Sequence, residues 1–424
     1  MNHEQQIDAV RTVKSVRVFH LSAFLIVAAS CQLTHAADFI VLENLSSINS
    51  RAYGVSNDGM VVAGIMRYGD PSVSEAFRWT DVSGMVGLGP LPGGDSSGAG
   101  ENGRQPLSRD GSTIVGYSYD DDASYTRTAF IQNTIGGMQG IDPNPGTRAT
   151  TANGVSHNGS VVIGTITTVS DDNPEPFRWT EEDGLVGLGH LAGNNATYPS
   201  DISDDGAIIV GTSIDRQSAG AEYEVFTWSE SNGMLGTGIV GAPDDGGLRP
   251  NPAVVSSDGA TIAGTTYGSS GTDLEAFRWT ADSGVVGLGF LPGTEGENGE
   301  ADSQVRDMTP DGRLIVGRSG FYPDEIPFVW SEAAGMENFQ QVLIDRYGMG
   351  DALEGWNLTS IQSVSANGQY FTGWSSPENH PSDGLETAWL IRLDVPWGTT
   401  VPEPSSLFLL ALGLGAISNY RSGQ

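Results

Sequence analysis

Six histidines, one cysteine and 52 acidic side chains bound the chemistry that this 424-residue chain can attempt. Only His157, His190 and His380 lie beyond residue 36, and they are far apart in sequence. No His-Glu-x-x-His pair arises, so satisfied turn or surface histidines are the expected reading. The single cysteine, Cys31, also precedes residue 37, which leaves the rest of the chain without a thiol nucleophile, a disulfide or a thiolate metal site. Lys14 is the only lysine. Beyond it, neither a Walker-type phosphate loop nor a lysine Schiff base can be built. An all-β pattern, argued below, also offers no strand-to-helix turn for a Gly-x-Ser-x-Gly nucleophile elbow.

Carboxylates are the abundant reagent. Two of them flanking a glycosidic bond would suffice for glycoside hydrolysis, but with so many the sequence nominates no pair. The runs Asp120-Asp121-Asp122, Asp171-Asp172 and Asp244-Asp245 offer oxygen ligands of the kind calcium takes. None has the spacing of a helix-loop-helix calcium site, and solvated acidic loops are the simpler state. The net charge of −32 opposes nucleic acid and anionic lipid, which need basic partners. The chain therefore reads as a non-enzyme with no catalytic residue to nominate, no expected cofactor, and calcium as the one candidate ligand ion.

Processing chemistry is better marked. Arg11, Lys14 and Arg17 precede the apolar run from Leu21 to Ala29, which leads to Thr34-His35-Ala36 before Ala37. Positive, apolar and small-residue segments in that order describe a secretory signal peptide, with the signal-peptidase bond between Ala36 and Ala37. Cys31 ends an Ala-Ala-Ser-Cys run near in form to a lipoprotein signal, a minor alternative. At the other end, Pro402-Glu403-Pro404 precedes the apolar stretch Leu407 to Ile417 and then Arg421. This order resembles the PEP-CTERM sorting signal, although a cluster of basic residues is thinned here to Arg421. The resemblance implies an exosortase as processing partner, transient membrane anchoring through the tail, and a cell-surface or extracellular location in a Gram-negative-type bacterium.

The segment between these ends must supply the fold, and it is repetitive. Turn dipeptides recur at Asp58-Gly59, Asp110-Gly111, Asn158-Gly159, Asp205-Gly206, Asp258-Gly259, Asp311-Gly312 and Asn367-Gly368, seven copies 47 to 56 residues apart. Such dipeptides between apolar runs are strong hairpin signals, because a two-residue turn needs positive backbone angles. About 20 residues after each comes an aromatic: Phe77, Phe130, Phe177, Phe226, Phe277, Phe328 and Trp389. Five continue to Trp79, Trp179, Trp228, Trp279 and Trp330, two residues on and therefore on the same strand face. An apolar run closed by glycine lies between, as in Val61 to Gly64, and a glycine-led fourth segment follows, as in Gly84 to Gly89.

Four short antiparallel strands repeated at about 50 residues predict a seven-bladed β-propeller over residues 37–397, between the leader 1–36 and the sorting tail 398–424. A β-solenoid or stacked β-sandwiches is the alternative. The seventh unit lacks a fourth strand, and the segment from Phe39 to Leu45 is left over at the start, so the N-terminal strand is expected to close the last blade. The only helical stretch expected is Phe339 to Tyr347. The repeat resembles the secreted bacterial HAF repeat through Ala76-Phe77-Arg78-Trp79-Thr80 and Ala276-Phe277-Arg278-Trp279-Thr280, with Glu75 and Glu275 in place of histidine. That resemblance implies an extracellular repeat and no activity.

First and third turns read as tight, whereas second turns and inter-blade links, such as Pro90 to Pro106 and Pro292 to Gln304, read as long. Variable loops on a rigid scaffold are where binding resides. The expected function is a cell-surface or biofilm-matrix protein with a binding or structural role toward a polysaccharide or matrix protein. A propeller-fold carbohydrate-active enzyme with paired carboxylates is the alternative.

Overall fold

The computed structural model describes residues 37–42, 49–68, 73–100, 105–120, 126–134, 136–141, 147–169, 173–218, 222–243, 251–267, 274–295, 301–321, 324–377 and 386–399. The leader, the sorting triplet Pro402-Glu403-Pro404 and Arg421 lie outside these residues, as do His380 and every member of the acidic runs except Asp120. The chain divides between Thr34 and His35, and only the second unit is described below.

Seven four-stranded antiparallel sheets form the blades of a β-propeller. Blade 1 comprises Asn49–Val55, Val62–Arg67, Ser74–Thr80 and Gly84–Gly87. Blades 2 to 6 repeat that order, starting with strands Gly94–Gly98, Thr147–Val155, Ala196–Ile202, Asn251–Val255 and Ser303–Met308. Blade 7 holds Trp356–Val364, Tyr370–Pro377 and Thr387–Leu393, and its outer strand is the N-terminal Ala37–Leu42, with Val41 opposite Trp389. The expected closure is thus observed. Because the seam joins the two ends of the sheet array, it is stitched at several levels. Ala388 N donates to Ser50 Oγ at 3.0 Å, Arg51 pairs with Glu386, and Arg392 pairs with Asp81 at 2.8 Å.

The sequence signals have specific packing causes. Each turn dipeptide belongs to a Ser/Thr-x-Asp/Asn-Gly unit: Ser56 Oγ donates to Asp58 Oδ1 and accepts Val61 N, which fixes the hairpin entry. The glycine that closes the second strand faces the aromatic of the third, Gly64 opposite Phe77 and Gly373 opposite Trp389. A Cβ on Gly64 would lie 2.0 Å from the Arg51 carbonyl oxygen and 2.8 Å from the Phe77 ring, so only glycine lets the ring lie flat over the strand. All seven aromatics are fully buried between blades. Each is the kind of side chain whose truncation to alanine costs about 3–5 kcal/mol.

One segment differs from expectation. Pro90 to Pro106 is not simply a link, because Gly94–Gly98 within it is the first strand of blade 2. Gly-Asp-Ser-Ser-Gly carries no apolar alternation, and tertiary bonding makes the strand: Ser97 Oγ accepts Ala76 N of blade 1 and donates to Gly89 O.

Helix Phe339–Tyr347 is capped by Asn338, which accepts from Gln341 N, and ends at Gly348 in the left-handed region. It packs beside blade 7 with Trp397, which stacks on Phe339 and Tyr347 with ring centroids 5.5 Å apart in each pair. Trp397 N donates to Gly368 O at 2.9 Å, so the chain end at this point lies on the face that carries the Asp-Gly turns. Ala37, paired with Leu393, starts on the same face.

Candidate functional site

Contacts between blades that are not neighbours locate the axis. Arg109, the variable residue of the blade 2 turn unit, pairs with Asp204 of blade 4 at 3.2 Å and with Asp307 of blade 6 at 3.8 Å. Its guanidinium also donates to the carbonyls of Met308 and Val364, at 3.2 and 3.3 Å. One arginine thus spans blades 2, 4, 6 and 7 and closes the turn end of the channel. The residues at the same position in other blades form a ring around it. Asn57 N donates to Arg109 O, His157 N to Asp204 O and Ser257 N to Pro310 O, at 2.7 to 3.0 Å. His157 joins the ring through its backbone while its Nδ1 is buried without a partner, and His190 bonds Thr197 at 3.1 Å. Among the described residues no cluster of acidic, histidine or cysteine side chains could hold a metal ion.

Deeper in the channel, a β-bulge in the innermost strand shifts the register of six blades, at Tyr53, Asn153, Ser200, Ala253, Arg306 and Gln362. A bulge re-aims side chains and frees one backbone group per strand. The residue after it answers that need in the adjacent blade. Asp201 Oδ2 accepts Val255 N, and Asp307 Oδ2 accepts Val364 N, both at 2.8 Å. Ser363 Oγ continues the series toward Val55 N at 3.4 Å. Burial pushes the Asp201 carboxyl up to about 7, with the Asp307 charge adding to the rise and Arg109 and the two backbone donors opposing it. Burial raises Asp307 as well. Two carboxylates from different blades therefore come within electrostatic reach, and both are engaged in holding the next blade.

Other carboxylates are engaged at the rim. Glu75, Glu175, Glu224 and Glu275 each accept the N–H of a glycine in the left-handed region. The partners are Gly89, Gly189, Gly238 and Gly289; in blades 1, 3 and 5 the clasp follows the end of the outer strand, and in blade 4 it lies within Gly233–Pro243. The run Gly94-Asp95-Ser96-Ser97-Gly98 has the spacing of a nucleophile elbow, yet it lies within a strand, and Ser96 Oγ donates to Asp95 at 3.1 Å.

The opposite mouth, at the end where second turns and inter-blade links lie, is different in kind. Arg306, on the blade 6 bulge, feels the phenol of Tyr53 two blades away, which places both side chains at the axis. Its one hydrogen bond, from Nη2 to Gln304 Oε1, is long at 3.4 Å, and its Nε has no partner. Asp302 and Arg318 lie nearby; Arg318 pairs with Glu325, and Asp302 accepts from Gln304 at 3.1 Å. Asp302 Oδ1, Arg318 Nε and Gln362 Oε1 are buried without hydrogen-bond partners. Sequence reasoning named none of these residues, because a bulge and a cross-blade register have no local signature. Two surface depressions, of about 340 and 430 Å³, flank the Glu337–Arg346 ion pair beside the helix; neither gathers several unpaired polar groups.

Fold and site define an all-β propeller whose interior charge is devoted mainly to bracing blades. Residues 400–421 match the PEP-CTERM protein-sorting motif, which marks an exported protein processed by an exosortase. No curated protein sequence matches the chain. Among solved structures, the β-propeller domain of the trilobed protease from Pyrococcus furiosus is 7% identical with a TM-score of 0.51, covering 84% of this chain and 99% of that one. That domain is described as having an open velcro topology, whereas here the N-terminal strand closes the last blade. A prolyl endopeptidase structure is 10% identical with a TM-score of 0.51, over 82% of this chain and 51% of that one. TolB from Acinetobacter baumannii is 14% identical with a TM-score of 0.43, over 66% of this chain, which spans 63% of that TolB. At such identities the likeness concerns fold and carries no activity across.

Proposed function

We propose that this chain is a HAF-type extracellular repeat protein of the bacterial surface or biofilm matrix, whose long-loop face binds a polysaccharide or matrix protein. Signal peptidase acts at the Ala36–Ala37 bond and an exosortase at the tail carrying Pro402, Glu403, Pro404 and Arg421. The observation that carries the reading is the sorting motif at residues 400–421 on a closed propeller. The engagement of Asp201, Asp307 and the four rim glutamates in blade bracing favours a binding scaffold over a hydrolase. Expressing the chain with and without residues 400–424 in an exosortase-bearing host tests the first half: the full chain should reach the surface and the truncation should not be sorted. Replacing residues 378–385 by a short turn tests the second through loss of glycan or matrix adhesion.

A second reading, a carbohydrate-active enzyme, draws on Asp201 and Asp307, two carboxylates from different blades, the charge of the second raising the first. Release of reducing sugar from acidic polysaccharides that disappears in Asp307→Asn would favour it.

A further inference from the structure

The chain carries 52 acidic residues against 20 basic ones, yet among the described residues an axial arginine, Arg306, keeps a buried guanidinium nitrogen without a partner. Most other described arginines have an evident partner. Arg51 pairs with Glu386, Arg109 with Asp204, Arg318 with Glu325 and Arg392 with Asp81. Arg78 and Arg278 donate to the carbonyls of Gly111 and Gly312. Among the described residues no carboxylate lies within ion-pair distance of Arg306. A guanidinium held inside a protein without a counter-charge is costly, typically by several kcal/mol. Burial and the neighbouring Arg318 charge both weaken its hold on its proton, down to about 10, so it remains cationic at neutral pH.

Its surroundings specify more than a negative charge. Arg318 Nε adds a second unused donor and Asp302 Oδ1 an unused acceptor, while Gln362, at the equivalent bulge position of the neighbouring blade 7, leaves its Oε1 without a partner. A sulfate or phosphate dianion offers no proton to those acceptors and meets repulsion from Asp302. A single carboxylate attached to hydroxyl groups supplies both complements, since the carboxylate takes the guanidinium edge bidentately and the hydroxyls donate to the acceptors. Arg109 closes the far end of the channel, so a polymer enters by its end instead of threading through.

Building on the binding role proposed above, we propose that the axial mouth on the long-loop face is a receptor for a hydroxy-carboxylate, the class to which a uronate unit belongs, with Arg306 pairing with its carboxylate. The ligand is either a free sugar acid or the end of an acidic polysaccharide chain. Calorimetric titration of the purified full chain with glucuronate, glucose and an oligouronide tests this. Glucuronate should bind and glucose should not, and Arg306→Gln should weaken glucuronate at least tenfold. Arg313→Gln, an exposed arginine on the turn face, should leave the affinity unchanged. If Arg306→Gln does not fold, Gln362→Met removes the acceptor on blade 7 and should weaken binding severalfold. Competition between oligouronide and glucuronate supports a chain end as the source, and glucuronate binding without oligouronide binding supports a free acid. Equal affinity for glucuronate and glucose, or glucuronate binding untouched in the folded variants, overturns the proposal. Oligouronide binding that survives Arg306→Gln without any glucuronate binding overturns it too, while leaving the long-loop face as a binding surface.

Discussion

Arg109 binds Asp307, the residue beside Arg306, so the two arginines share one channel, and they differ in what surrounds them more than in what they are. Arg109 meets two carboxylates and two carbonyls from three other blades. Arg306, three residues before the turn-unit Thr309 instead of inside the unit, has one long contact to its own strand and an Nε with no acceptor. The first arrangement resists change, because removing one partner strands the others. The second resists nothing, since it leaves donors that only an added molecule can satisfy. Structural and ligand-directed charge in this propeller are distinguished by counting partners, not by burial.

The largest test of that contrast is Arg109→Ala. It leaves Asp307 without its facing cation and should cost about 3–5 kcal/mol, read as a lower denaturation midpoint. A loss under 1 kcal/mol would erase the distinction between the two ends. Next in size is a pH effect from the closed half. The Asp201 carboxyl titrates near 7 in the fold against an ordinary 3.8, so between those values the folded state holds the extra proton. Stability contributed this way is present at acid pH and is lost as pH rises through 7, on the order of 2 kcal/mol between pH 5 and 8. Asp201→Asn keeps an acceptor for Val255 N and should flatten the thermal-unfolding profile over that range. The turn-unit carboxylates Asp110, Asp205 and Asp258 are held below the usual value, so they pull the other way only under about pH 4. Ser363→Ala removes the hydroxyl shared by Asp307 and Val55 N and should cost about 1 kcal/mol in urea unfolding. Smallest is Arg306→Met, expected to be neutral or to raise the unfolding midpoint by up to about 1 kcal/mol, because it removes an unpaired charge. A loss comparable with that of Arg109→Ala would make Arg306 a structural residue.

Blade number, strand order and closure were legible because their determinants are local. Asp-Gly needs its turn, Gly64 needs Phe77 above it, and the leftover strand from Phe39 needs an edge. Gly94–Gly98 was misread as part of a loop because Ser97, whose bonds to blade 1 make it a strand, looks like any loop serine. The role of Glu75 was invisible for a related reason: its partner, Gly89, lies 14 residues on across a strand pair. The axial mouth lay furthest from view. Tyr53, Arg306 and Gln362 reach equivalent axial positions only after seven blades have closed and each bulge has displaced its strand by one residue.

The placement of Trp397 bears on how such a molecule carries force. Any anchor attached beyond residue 399 hauls on an indole wedged against Phe339, Tyr347 and Phe371, all rooted in the region of helix and last blade. Tension therefore enters through a stacked aromatic plug before it reaches the strand pair Ala37–Leu42 and Thr387–Leu393 that keeps the ring shut. A protein pulled from its turn face would present the opposite, long-loop face outward while the load was borne behind it.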